Sequence, residues 1–121
     1  MTLVLVAGLG GLGAVARWLV DLLLAARWGR SLPWGTITVN VVGSCVAGGL
    51  AGAAAGGHLG ASSVEVLAVG FCGGLTTFSA ASFDVARELD RRRPGVGAAL
   101  LLVPMVLAVS FGILSFHAFG G

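Results

Sequence analysis

The chain has 121 residues, 57% of them hydrophobic and only 10% charged, with a mean hydropathy of +1.02. A water-facing surface needs roughly 25% charged residues, so this composition excludes a soluble globular domain and leaves room for one membrane-embedded unit. The formal net charge of +2 comes from seven arginines and five acids, and those arginines form no aromatic-interleaved stripe of the kind that grips nucleic acid.

A membrane-crossing helix needs about 20 mainly apolar residues. The first such stretch is 2–26, with Arg17 and Asp21 in its second half. A secretory leader places basic residues before its apolar run. None precedes this one and Arg17 interrupts it, so the stretch is expected to remain as a span. Residues 31–64 contain no Asp, Glu, Lys or Arg, too long a run for one helix, and Gly56-Gly57-His58-Leu59-Gly60 marks its natural end. The second span is therefore 33–56, with Pro33 in its first turn, where a missing N–H costs nothing. The third is 63–85 and the fourth 95–119. These spans predict an all-α membrane protein, a single domain over 1–121 with four transmembrane helices.

Trp28 and Trp34 flank the first loop, as interfacial anchors do. Loop one carries Arg27 and Arg30; loop three carries Arg87, Arg91, Arg92 and Arg93; the termini and loop two carry no arginine. The positive-inside bias then places loops one and three in the cytoplasm and both termini outside. Cys45 and Cys72 lie inside apolar runs and read as packed free thiols.

Gly8-Leu9-Gly10-Gly11-Leu12-Gly13 matches a dinucleotide-binding fingerprint in letters only. That fingerprint needs a βαβ unit and an acid about 20 positions on, whereas glycines at this spacing in a span bring two backbones together. Arg17 and Asp21, four apart, share a helix face; they form either an ion pair near the interface or part of a positive vestibule. Asn40, the only asparagine, shares its face with Thr36 and Ser44 and suits either helix-to-helix hydrogen bonding or a polar path.

The third span is the most informative. Gly73-Gly74-Leu75-Thr76-Thr77-Phe78-Ser79, with Ser82 beyond, favours a helix break near its centre. Irregular backbone at membrane depth is tolerated only where protein, water or an ion satisfies it, and broken helices build ion sites. On the fourth span, Ser110 adds a hydroxyl and Pro104 permits a kink. No Ser-His-acid or Cys-His set and no metal-ligand spacing is present, so an enzyme is not expected.

Three segments together resemble the CrcB/Fluc family of small fluoride channels. Gly10-Gly11-Leu12-Gly13-Ala14-Val15-Ala16-Arg17-Trp18 is similar to the family's first-helix pattern. Gly35-Thr36 through Asn40 and Gly43 is similar to its second, and Gly70-Phe71-Cys72-Gly73-Gly74-Leu75-Thr76-Thr77-Phe78-Ser79 to its third. The resemblance implies an antiparallel dimer in the cell membrane that passes fluoride passively out of the cell through two narrow pores. It implies that Asn40, Thr36, Phe78, Ser79 and Ser110 line the fluoride path and that Arg17 belongs to a vestibule. It also implies that the backbone carbonyls of Gly73 and Thr76 hold a structural Na+ at the dimer interface.

The family continues with a second phenylalanine three positions after the first; here Ala81 stands there, while Asp84 fits the acidic position that follows. Phe83 lies about 160° further round the helix from that face and is no replacement. With six loop arginines on one side, the chain is expected to pair either with itself or with a homologous subunit of opposite orientation that supplies the missing aromatic. The alternatives are a small four-helix multidrug exporter, in which Asp21 is essential and Asn40 dispensable, and a non-conducting partner subunit.

Overall fold

The computed structural model describes residues 1–121 and is almost entirely helical. Helix α1 (Thr2–Trp28) ends at Gly29, whose φ of 76° suits a residue without a side chain, and a short loop leads to α2 (Trp34–Ala55). A turn through Gly57, also at φ 76°, leads to the third span, Ala61–Asp90. That span starts as α3 (Ala61–Val64), widens into a π-helix over Glu65–Cys72, tightens into α4 (Gly73–Leu75), breaks at Thr76-Thr77 and resumes as α5 (Phe78–Asp90). Helix α6 (Pro94–Gly120) starts on a proline and runs unbroken through Pro104.

All four spans are long and apolar enough to cross a membrane, and the chain is a multi-pass membrane protein. Only 11 of 121 residues are buried, and the apolar core is reduced to Val39, Cys72 and Leu75. Leu3, Val69 and Leu114 point outward at 81%, 62% and 64% exposure. In water each such side chain forgoes about 1.5–3 kcal/mol of burial; against lipid tails it forgoes almost nothing.

Without a hydrophobic drive between helices, packing falls to small residues that let backbones approach. Two helix pairs do this. Helix α1 lies against the third span, where a Cβ on Gly74 would strike the Gly10 carbonyl and one on Gly13 would strike the Phe71 carbonyl. Helix α2 lies against α6, where a Cβ on Gly48 would strike the Gly112 carbonyl and one on Gly52 the Phe116 carbonyl. Of the α1 glycine cluster, Gly10 and Gly13 make these contacts, while Gly8 and Gly11 face open space.

The spans 2–26, 33–56 and 95–119 match α1, α2 and α6 to within about two residues. The third span runs to Asp90 rather than ending at 85, and Arg87 lies on helix α5, not in the loop. Its charges read as a loop boundary, but they are neutralised along the helix: Arg87 pairs with Asp84 at 3.3 Å and Arg91 with Glu88 at 3.2 Å. Glu88, only 1% exposed, also takes Arg93 at 3.3 Å, which ties the end of α5 to the start of α6. The break stands where the glycine and threonine pairs placed it, and the π-helix before it was not foreseen.

Candidate functional site

The site is built around Thr76 and Thr77, whose backbones are extended (φ −79°, ψ 155° and φ −152°, ψ 123°). Two such residues interrupt the helical ladder, and each polar group left unpaired in hydrocarbon costs several kcal/mol. Their own polar groups find partners. The Thr76 N–H donates to the Cys72 carbonyl at 2.9 Å, and its hydroxyl donates to the same oxygen at 2.9 Å. The Thr76 carbonyl accepts from Arg17 Nη1 at 3.3 Å.

Thr77 is held from α2. Its N–H donates to Asn40 Oδ1 at 2.7 Å and its carbonyl accepts from Asn40 Nδ2 at 2.9 Å. The Asn40 amide therefore stands in for a neighbouring peptide group. The Thr77 hydroxyl accepts from Ala80 N at 3.2 Å, capping the start of α5, and lies 3.1 Å from the Ser79 hydroxyl. Gly43, on α2 beyond Asn40, gives the Thr76 methyl its seat, since a Cβ there would strike it.

Immediately after the break, Phe78 projects outward at 79% exposure, and Ser79 beside it is exposed as well. The hydrogen bonds thus join Arg17, Asn40, Thr76, Thr77 and Ser79 into one cluster. Thr36 lies one turn before Asn40 on α2. Ser110 is exposed on α6 and bonded to none of them, and Gly73 is exposed on the near side of the break. Arg17 and Asp21 do not form an ion pair: the guanidinium reaches to the break instead, while the Asp21 side chain packs against Gly35. Thr77, which turns Asn40 into a clamp, stood in the sequence only as one of several nearby hydroxyls.

Two cavities adjoin the cluster. The larger, about 420 Å³, is bounded by Arg17, Asp21, Arg30, Asp84 and Arg87, with Phe83 on its wall. The smaller, about 20 Å³, lies between Asn40, Ala81, Leu100 and Pro104, on the order of one water molecule in size. Pro33, Thr36 and Asp84 border both. Phe83 and Ala81 therefore face different spaces.

Residues 4–116 match the family model described as CrcB-like protein, Camphor Resistance (CrcB). The chain is 51% identical over 118 residues to a protein of Cutibacterium acnes named Fluoride-specific ion channel FluC 2, covering 93% of this chain and 95% of that one. It is 45% identical over 112 residues to Fluoride-specific ion channel FluC of Rhodospirillum centenum, covering 90% and 86%. It is 47% identical over 109 residues to Fluoride-specific ion channel FluC 1 of Nocardia farcinica, covering 90% and 72%.

Proposed function

The chain belongs to the CrcB family, and from that premise we propose that it is a subunit of a passive fluoride channel. It would export fluoride from the cytoplasm and so give fluoride resistance. The observation that carries this reading is the step Phe78-Ser79, held outward in the interior of the third span by the Asn40–Thr77 clamp. Fluoride is small and strongly hydrated, so a path for it must replace lost water with hydrogen-bond donors. Asn40 spends one of its two amide N–H bonds on Thr77 and keeps the other. The hydroxyls of Thr36, Ser79 and Ser110 extend the supply of donors. The edge of the Phe78 ring is the positive end of its quadrupole, so it meets an anion without competing as a cation. Arg17 and the larger cavity form the entrance, where positive charge concentrates anions.

A ring 79% exposed at membrane depth needs a second surface to make a narrow passage. In this reading that surface is another subunit, packed antiparallel, either a copy of this chain or a homologue. The carbonyls of Gly73 and Thr76 have the hard oxygen chemistry that Na+ takes, and the Arg17 guanidinium that donates to the Thr76 oxygen in the subunit would have to share or yield that oxygen to the ion. Outside its chain neighbours and local helix backbone, the nearest atom a Cβ on Gly73 would meet is the Ala68 carbonyl oxygen at 3.9 Å, and Gly73 itself is exposed. Hard cations gather about six oxygens, so one chain supplies part of a set that a second would complete; bound there, Na+ would fix the two breaks against each other. The one-sided loop arginines support an orientation with loops one and three in the cytoplasm and both termini outside.

The homologous-partner arrangement rests on the one-sided arginines and on Ala81. The cavity of about 20 Å³ beside Ala81 is too small for a phenyl ring, so Ala81→Phe is expected to overpack the space between α2, α5 and α6. The purified chain, reconstituted alone in liposomes, tests the proposal with a fluoride electrode and chloride as the control anion. Fluoride-selective efflux is the expected result and assigns a self-sufficient homodimer. Efflux that appears only on co-expression with a homologue assigns the mixed dimer. Equal efflux of both anions, or none in either format, overturns the channel reading.

A further inference from the structure

An anion entrance has no evident use for a carboxylate, yet two border the cavity of about 420 Å³. Asp84 is accounted for, since Arg87 pairs with it at 3.3 Å. Asp21 makes no ion pair and no hydrogen bond, although Arg17 stands one helical turn away and borders the same cavity. Arg17 donates to the Thr76 carbonyl instead.

Asp21 is half-buried and lies against the first turn of α2. A Cβ on Gly35 would strike the Asp21 carboxylate oxygen Oδ1 and its Cα, and Gly35 is buried beneath them. That turn has no side-chain cap and no acidic residue of its own. The Trp34 N–H donates to the Leu32 carbonyl and that of Ile37 to Pro33, while those of Gly35 and Thr36 find no backbone acceptor. The start of a helix is positive and attracts anions. Asp21 therefore places a carboxylate of α1 on the cavity wall where a free anion would otherwise settle.

We propose that Asp21 is a fixed counter-anion that sets how strongly the entrance holds a passing anion. With Arg87 and Asp84 paired, the charges of Arg17, Arg30 and Asp21 leave the cavity one positive charge. Without the Asp21 charge it has two, and the start of α2 faces the cavity unshielded. A conducting path must take an ion up and also let it go. Two arginines and a bare helix start would hold an anion longer than passage allows. The inference rests on the entrance role given to this cavity above.

Trp18 and Trp34 line the cavity and Trp28 meets Trp34 edge-on with ring centroids 5.5 Å apart, so tryptophan emission reports on what enters. The full-length chain in neutral detergent micelles is quenched with iodide, an anion, and with acrylamide, which is neutral, at fixed total salt. At about 0.1 M salt, where screening reaches about 10 Å, Asp21→Asn is expected to raise the iodide quenching constant about twofold. The acrylamide constant stays the same. At about 1 M, where screening reaches about 3 Å, the iodide difference disappears. Asp21→Ser, a second uncharged variant, behaves as Asp21→Asn does. Asp90→Asn removes the same charge from an exposed position outside the cavity and changes neither constant. In liposomes, Asp21→Asn lowers the fluoride concentration that half-saturates efflux about twofold. Iodide quenching unchanged in the Asp21 variants, or raised equally by Asp90→Asn, overturns the proposal. So does an unchanged half-saturating concentration in a chain that conducts. The expected iodide response beside a native chain that passes no fluoride upholds the role of Asp21 and overturns the channel reading instead.

Discussion

Helix α2 makes two opposite kinds of contact along its length. Toward its C-terminal half, Gly48 and Gly52 lie directly on the carbonyls of Gly112 and Phe116 of α6, backbone on backbone. Toward its N-terminal half, Asn40 reaches across and holds the interrupted backbone of Thr77 with two hydrogen bonds. The first contact works by removing side chains and needs unbroken helices on both sides. The second works by adding a polar side chain and needs a helix that has come apart. One end of the helix builds the protein; the other keeps open the irregular segment on which the proposed path depends.

That contrast is sharpest under substitution. Gly48→Val drives a branched side chain into the Gly112 carbonyl, with no flexible neighbour to yield, and is expected to abolish the folded protein; size-exclusion chromatography after extraction reads this directly. Asn40→Leu leaves the Thr77 N–H and carbonyl without partners. It is expected to lower stability by about 1–3 kcal/mol, seen as a reduced Tm, and to remove fluoride efflux. Phe78→Ala touches a side chain that is 79% exposed. It should leave the Tm of the subunit nearly unchanged while lowering efflux roughly tenfold, the rate equivalent of about 1.4 kcal/mol. Gly11→Ala, whose new methyl meets open space, should shift stability by less than about 0.5 kcal/mol. If Gly48→Val folded as well as Gly11→Ala, the distinction between glycines that weld and glycines that merely occur would collapse.

The four spans were legible because a bilayer demands long apolar runs, and the break because Gly73-Gly74 and Thr76-Thr77 are poor company for a continuous helix at membrane depth. The family was legible for a related reason, since the residues that make the clamp, the step and the contact of α1 with the third span are also residues of its motifs, whereas the α2–α6 contact at Gly48 and Gly52 lies outside them. The π-helix over Glu65–Cys72 was not legible, because no residue in that stretch forces a wider turn. Gly70 and Gly74 rest on α1 against Val6 and Gly10 respectively, a four-residue spacing that an ordinary α-helix keeps equally well, so these contacts do not announce the wider turn. Spacing suggested Asp21 as the partner of Arg17, but a long guanidinium side chain reaches the Thr76 carbonyl exposed by the break. The third span was placed five residues short because Arg87 and Arg91 look like loop charges until their pairings with Asp84 and Glu88 are known.

The central claim is that the third span is broken and that Asn40 is what holds the break. Hydrogen exchange at the Thr77 amide, compared between the native chain and Asn40→Leu in the same detergent, tests this most directly. The account predicts that Thr77 is protected in the native chain and exchanges much faster in the variant, while Thr76, bonded to Cys72, keeps its protection. Equal protection of Thr77 in both proteins would contradict it, because the amide would then be held by something other than Asn40.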